Sequence, residues 1–316
     1  MATNAELIAS ATDTWVYGYF ENNIINNSRL LGWLDSNAAV TEQGGNSIKT
    51  PVAFAESATD DDYVSGTTSG TWTQPQQFTT ADWAWAEANT PILWDKRELD
   101  VVNGPVEKVD LISQRFVYAE DSMKATLERL LLGNGGTNKM NGIQLIVKDT
   151  TTDLGGIDVS ANSWWKPQVG TALTTTVPTY KDLHSSILTM TFGGLTGSSI
   201  GLTRHRLFVE IVALAQANQR FPQDGQDAGL GFETVSVAGV PVTYPDETYA
   251  NAASLSDKDV YWLNSMYLQF VKHSSSWMTR AEVIRRPSTW VYETAINCLG
   301  NLVSSGRRYQ GVLSTK

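Results

Sequence analysis

At 316 residues, with 41% hydrophobic and only 18% charged residues, the chain is long enough for one large domain or two ordinary ones with a sizeable core. A net charge of −10 excludes a dedicated nucleic-acid binder, whose footprint would be a basic stripe. The single cysteine, Cys298, excludes an intrachain disulfide and a Cys-based zinc site, and its Ala-Ile-Asn-Cys-Leu-Gly setting reads as a small core residue. The charged share lies below the roughly 25% usual for soluble domains, with Ser, Thr, Asn and Gln filling the gap. Eleven Trp and eleven Tyr favour surfaces packed on one side and wet on the other, which predicts extensive partner contact. The N-terminus lacks the basic start and apolar stretch of a signal peptide, and no apolar run approaches the ~20 residues that span a bilayer. Synthesis in a reducing cytoplasm is expected.

Residues 4–20 carry Leu7, Ala11, Trp15 and Tyr19 at four-residue spacing behind Asn4, the pattern of a capped amphipathic helix. Such a helix is either an arm that docks elsewhere or packs on its own domain. From about 41 to 100, Ser47–Phe54 alternates like a strand, and an acidic tip follows at Asp60, Asp61 and Asp62. Thr71-Trp72 and Phe78–Trp85, with Trp83, alternate again, which predicts an extended hairpin. A hairpin of that length is not stable alone in water and must lie on a neighbouring surface. The acidic tip lacks the spacing of a calcium loop and reads as a solvated turn.

Residues 105–132 give an uninterrupted helical pattern through Val106, Val109, Ile112, Phe116, Ala119, Met123, Leu127 and Leu130. Asn103 is placed to cap it, Pro105 fits its first turn and Gly133 its stop. A rod of about 40 Å results, at 1.5 Å per residue, and it suits a spine. Further on, Leu154-Gly-Gly-Ile-Asp-Val-Ser-Ala-Asn-Ser-Trp-Trp-Lys-Pro167 sets two tryptophans in turn chemistry. Read as extended chain, Trp164 and Trp165 point to opposite faces, each burying on the order of 200 Å². Helices are predicted over 179–192 and 204–219, with a short strand over Ile200–Thr203 between them. Phe232–Tyr244 reads as strand, turn at Ala238-Gly239, strand, and Val260–Val271, Val283–Arg286 and Val291–Cys298 as further strands.

Little in the chain carries chemistry. Gly133-Asn-Gly-Gly follows a helix instead of a strand, which excludes the dinucleotide fingerprint, and there is no Walker motif. Gly197-Ser-Ser-Ile-Gly201 matches the nucleophile elbow with Ser199 at its centre, and Asp246, Asp257 and His273 follow in hydrolase order. An elbow needs a strand before the serine and a helix after it, whereas here a loop precedes and a strand follows. His184, His205 and His273 are too dispersed for a metal site. The acidic pairs Asp95/Glu98, Glu107/Asp110 and Glu120/Asp121 sit among basic neighbours and read as solvated faces. No catalytic residue, cofactor or metal is expected.

The order of parts resembles the major capsid proteins of tailed bacteriophages, the Hong Kong phage type, and the P22-coat-like families. The resemblance is carried by Gly142-Ile-Gln-Leu-Ile146, Gly155-Gly-Ile-Asp158, Trp164-Trp165, Gly239-Val-Pro-Val242, Val260-Tyr-Trp-Leu-Asn264 with Tyr267-Leu268, and Gly300-Asn-Leu-Val with Arg307-Arg-Tyr-Gln-Gly311. These match in order over about 130–316, and the first 130 residues match in layout. The resemblance implies an α+β capsid fold with an N-terminal arm (1–40), an E-loop hairpin (41–104), a P-domain (105–177 and 259–316) with its spine helix, and an A-domain (178–258). It implies self-assembly into hexamers and pentamers that form an icosahedral shell around double-stranded DNA, without sequence-specific binding and without a membrane. A separate scaffolding protein is implied because no long charged N-terminal segment is seen; a portal and decoration proteins are further partners. Shells would assemble in the host bacterial cytoplasm. Candidate assembly or packing residues are Trp15, Tyr19, Asp60, Asp61, Asp62, Trp72, Trp83, Trp85, Trp164, Trp165, Arg285, Arg286, Arg307 and Arg308. Lys49 lies near the hairpin base and the tip is acidic, so covalent cross-linking between subunits is not expected. An encapsulin-like compartment and a serine hydrolase through Ser199 are the alternatives.

Overall fold

The computed structural model describes residues 28–55, 76–102, 111–136, 138–170, 172–190, 199–217, 234–287 and 289–316. The expected helix over 4–20, the tip at Asp60–Asp62, Trp72, and the Asn103 and Pro105 helix start lie outside them.

Two mixed sheets and one hairpin organise the chain. The first sheet runs β1 (Ala39–Glu42), β10 (Leu268–His273), β13 (Val291–Ser304), and β13 also takes β11 (Thr279–Arg280), β12 (Ile284–Arg285) and β4 (Ala86–Asp95). β13 is its axis, since ten of its residues pair antiparallel with β4, from Val291↔Asp95 to Gly300↔Ala86. The second sheet runs β5 (Gln168–Val169), β14 (Gly311–Ser314), β9 (Asp259–Asn264), β6 (Ser199–Thr203), β8 (Val240–Thr243), β7 (Val235–Val237). The third unit is the hairpin of β2 (Ile48–Ala53) and β3 (Phe78–Trp83), in register from Ile48↔Trp83 to Ala53↔Phe78.

Helices fall where expected at 111–132, 180–190 and 205–217, while those at 29–37, 96–102 and 247–252 were not expected. α1 (Arg29–Asn37) and the short α2 (Lys96–Val102) precede the spine helix α3 (Leu111–Leu132). The 22 described residues of α3 make a rod of about 33 Å. Ala119, Met123, Leu127 and Leu131 recur at four-residue spacing and are buried on the first sheet. α4 (Tyr180–Met190) and α5 (His205–Ala217) cover the second sheet, and α6 (Glu247–Ala252) packs against α3. Thr179 and Asp182 close the start of α4 with reciprocal bonds, each side chain accepting from the other's N–H.

β9 explains the dense run Val260-Tyr-Trp-Leu-Asn264. All six of its residues are buried. Tyr261 and Leu263 join the core under α3, while Val260 and Trp262 join the core under α4 and α5. A strand covered on both faces has no need of polar alternation. The expected single strand Val260–Val271 is therefore two, with the turn through Ser265–Tyr267 carrying the chain from one sheet to the other. Ala86–Asp95, not expected as a strand, is the longest partner of β13; Glu87, Asn89, Pro91 and Leu93 on one face are wet, while Ala88, Ile92 and Trp94 on the other face α3. Ala238 and Gly239, at φ 51° and 84°, form the expected tight turn between β7 and β8.

Candidate functional site: a tryptophan clamp under the hairpin

The third core cluster lies where the hairpin leaves the body. It gathers Ile48, Val52, Ala81 and Trp83 from the hairpin, Leu154, Ile157, Val159 and Trp165 from the 154–167 passage, and Val271 and Val303 from the first sheet. The passage is built from turns. Gly155 and Gly156, at φ 66° and 71°, close a bridge between Leu154 and Ile157. Asp158 Oδ1 accepts from the Ser160 and Ala161 N–H groups, and Asn162 Nδ2 donates to the Asp158 carbonyl. Ser163–Trp165 then forms a single 3₁₀ turn.

That turn corrects the expectation for the tryptophan pair. On a strand the two rings would part; here both face the hairpin. Trp164 stacks on Phe54, with centroids 4.8 Å apart and planes 11° apart. Trp165 is buried at 1% exposure, 6.4 Å from the Trp83 ring, and donates from Nε1 to the Leu154 carbonyl at 2.9 Å. The two tryptophans meet edge to face at 5.8 Å. On the hairpin side, Trp83 Nε1 donates to Thr50 Oγ1 at 3.0 Å, which ties β3 to β2. The Asp82 N–H donates to the Gly155 carbonyl at 2.9 Å. A Cβ on Gly155 would sit 2.8 Å from that of Ala81, so glycine is what lets passage and hairpin touch.

Trp85 secures the other edge. Its Nε1 donates to the Gly45 carbonyl at 2.9 Å and its ring meets His273 edge to face at 5.5 Å. The chain enters the hairpin through Gly44 and Gly45, both at positive φ (130° and 128°). Trp83, Trp85, Trp164 and Trp165 are thus brought together as one clamp.

The four arginine candidates separate. Arg285 and Arg286 are exposed beside β12: Arg285 lies over the Trp290 ring at 4.2 Å and Arg286 pairs with Glu293 at 2.5 Å. Arg308 is exposed, whereas Arg307 is wholly buried. Arg307 donates to the carbonyls of Leu145, Ile146 and Asp149 at the end of the π-helical turn Gln144–Lys148. Burial pulls its guanidinium down to about 10, and the nearby Asp149 works against that pull.

Nothing here is arranged for catalysis among the described residues. Ser199 opens β6 and a strand follows it; Asp246 caps α6 by accepting from the Thr248 N–H, Asp257 pairs with Arg206, and His273 Nδ1 contacts Ser275. Of the acidic pairs, Glu107 and Asp110 lie outside the described residues. Asp95 accepts from the Arg97 N–H, Glu120 pairs with Arg280 at 2.6 Å and Asp121 with Lys124 at 3.7 Å. Glu98, expected on a solvated face, is instead buried and paired with Arg115 at 2.8 Å. No group of three metal-ligating side chains is assembled, and no helix is long and apolar enough to cross a membrane, among the described residues.

One titratable group escaped the sequence. Glu128, on α3, is fully buried, and burial pushes its carboxyl up to about 7 against the pull of the Leu31 and Leu30 N–H groups and of Arg29. Its partners lie almost a hundred residues away, so no local motif marks it.

No family profile and no curated protein sequence matches the chain. Solved structures do. The capsid of cyanophage A-1(L) superposes with a TM-score of 0.69 at 13% identity, covering 99% of this chain and 98% of that one. The capsid of a native GTA particle gives 0.67 at 12%, covering 96% and 95%. The SrpI encapsulin of Synechococcus elongatus PCC 7942, in its holo complex, gives 0.59 at 11%, covering 99% and 95%. The neighbours are shell proteins, not enzymes. The chain has, over nearly its whole length, the α+β capsid fold of tailed phages, the Hong Kong phage type.

Proposed function

We propose that this chain is the major capsid protein of a tailed bacteriophage, assembling into hexamers and pentamers of an icosahedral shell around double-stranded DNA. The observation that carries the reading is the end-to-end likeness to phage capsid subunits. The hairpin supports it: the clamp holds Phe54, while Phe78, paired with the adjacent Ala53, is 70% exposed, a ring left for a neighbouring surface. On this reading 1–40 is the arm, 41–104 the E-loop, 105–177 with 259–316 the P-domain, and 178–258 the A-domain. The net charge of −10 suits a shell wall that does not grip its DNA. A separate scaffolding protein, a portal and decoration proteins would complete assembly in the host bacterial cytoplasm, and no enzymatic step is assigned to the chain.

The encapsulin likeness favours one second reading, a compartment shell around cargo protein. Negative-stain microscopy of particles from an expressing cell separates the two. Faceted shells that package DNA when the phage's other structural proteins are present support the capsid. Small shells enclosing a protein favour the compartment, and protein that forms no shell under any of these conditions refutes both. Esterase activity lost in Ser199→Ala would revive the hydrolase reading.

A further inference from the structure

α1 starts in an unusual way. Ser28 occupies its N-cap position, where a serine hydroxyl ordinarily accepts from the second or third N–H of the helix. Here the Ser28 side chain makes no such bond, and its Oγ is buried without a hydrogen-bond partner. The N–H groups it would cap are taken by a remote residue: Leu30 donates to Glu128 Oε1 at 3.0 Å and Leu31 to Oε2 at 2.8 Å. Both oxygens of a fully buried carboxyl on the spine helix therefore hold the start of α1. Arg29 reaches the other way, donating to the Tyr244 carbonyl at 2.9 Å and lying 4.1 Å from that ring.

We propose that Glu128 is the catch that positions the start of α1 on the spine helix, with Ser28 as the alternative cap when the catch opens. The helix has two interchangeable caps, one local and one remote. Undocking the start of α1 exchanges the Glu128 bonds for a Ser28 bond without unwinding the helix. It also exposes Leu30 and Leu31, which are buried in the main core, so the undocked form is a minor one. A buried, unpartnered hydroxyl at that position is a cost in the docked state that the undocked state relieves. The consequence for shell assembly rests on the capsid reading; the catch itself does not.

The catch responds to protons. The groups facing Glu128 are Arg29 on α1 and Tyr249 on α6, whose buried hydroxyl is also unpartnered; Asp246 at the start of α6, then Arg129 and Asp121 of α3, act on that tyrosine too. Burial raises the Glu128 carboxyl from its ordinary 4.5 to about 7, and the ordinary value is the reference for a carboxyl that undocking exposes to water. A group raised in the docked state stabilises docking fully below its undocked value, and that contribution is lost as pH rises through about 7. The docking constant should thus fall about 30-fold between pH 5.5 and 8.5.

The Leu30 and Leu31 amides report it, because neither has an intrahelical acceptor. Amide exchange is measured on the full-length, unassembled subunit and expressed as protection relative to the intrinsic rate at each pH. In the wild type this protection should fall about 30-fold from pH 5.5 to 8.5, and in Glu128→Gln it should be flat. Ser28→Ala should raise it several-fold at both pH values, the reverse of losing an ordinary cap. A flat wild type, an unchanged fall in Glu128→Gln, or reduced protection in Ser28→Ala each overturns the catch. Exchange of Leu263 in β9 checks that every variant is folded; if Glu128→Gln is not, the wild-type profile and Ser28→Ala still decide. Shell formation plays no part in this readout, so its outcome is independent of the capsid reading.

Discussion

Trp165→Ala tests the clamp most directly. The ring is 1% exposed and packs among Trp83, Trp164 and the apolar side chains of the hairpin base, with no flexible neighbour long enough to fill its place. Truncating a buried Trp costs about 3–5 kcal/mol, transfer and cavity terms together. The lost Nε1 bond adds little, because the Leu154 carbonyl still accepts from the Ile157 N–H at 3.3 Å. Trp164 is half-buried and its main contact is one stacked face on Phe54, so Trp164→Ala should cost about 1–2 kcal/mol. Thermal or urea unfolding of the subunit measures both. At roughly 2–4 °C per kcal/mol, Trp165→Ala should lower the midpoint by about 10 °C and Trp164→Ala by a few degrees. Both should impair assembly or solubility and change no activity. A Trp165→Ala midpoint within 2 °C of wild type, or a larger loss in Trp164→Ala, would refute the clamp.

Other perturbations probe separate parts. Arg307→Lys should behave as a disruptive change, losing about 3 kcal/mol or more, since an ammonium cannot reach three carbonyls held by a planar fork; denaturant midpoints against Arg308→Lys, expected within about 0.5 kcal/mol of wild type, decide it. Gly142→Ala should fail to fold or lose several kcal/mol, because its Cβ would fall on the Gly133 carbonyl behind the spine helix; soluble, wild-type-like protein would show the close approach to be unnecessary. Burial works to raise the Asp149 carboxyl, but bonds from Thr152 and Thr151 outweigh it and hold it at about 2. That lowered value stabilises the fold above the ordinary carboxylate range and is lost as pH falls toward 2, so acid-unfolding curves should be shallower there in Asp149→Asn than in wild type. Assembled shells should run as a single monomer band on denaturing gels, and a ladder of oligomers would show the cross-linking not expected from Lys49.

What was legible in the sequence was whatever a repeat of two or four residues encodes. The spine helix announces itself through Ala119, Met123 and Leu127, and β2 through Ile48, Thr50 and Val52, because one face of each is buried and the other wet. β9 was legible as apolar but not as the wall between two cores, since a strand covered on both faces loses its period. Ala86–Asp95 was missed because Pro91 and two asparagine-like polar positions sit on its open face, and its ten-residue register with β13 is a contact two hundred residues away. Trp164 and Trp165 were legible as an anchor but not in direction: a 3₁₀ turn set by Asp158 and Asn162 turns both rings to one side. Glu128 could not be found, for its partners share no spacing with it.

The clamp and the catch fasten two parts of the chain to its body by different means. The hairpin is fastened by Trp83, Trp85, Trp164 and Trp165, and the first turn of α1, whose apolar side chains lie in the main core, by Glu128. The two fastenings differ in chemistry. The hairpin root is an apolar, aromatic cluster closed by the Asp82 N–H on the Gly155 carbonyl and the Trp85 indole on the Gly45 carbonyl. The α1 root is a single carboxyl in an apolar wall, so its hold depends on one proton. On the capsid reading, such unlike joints would keep the hairpin in place while the start of α1 adjusts, on a fold this chain shares with phage capsids.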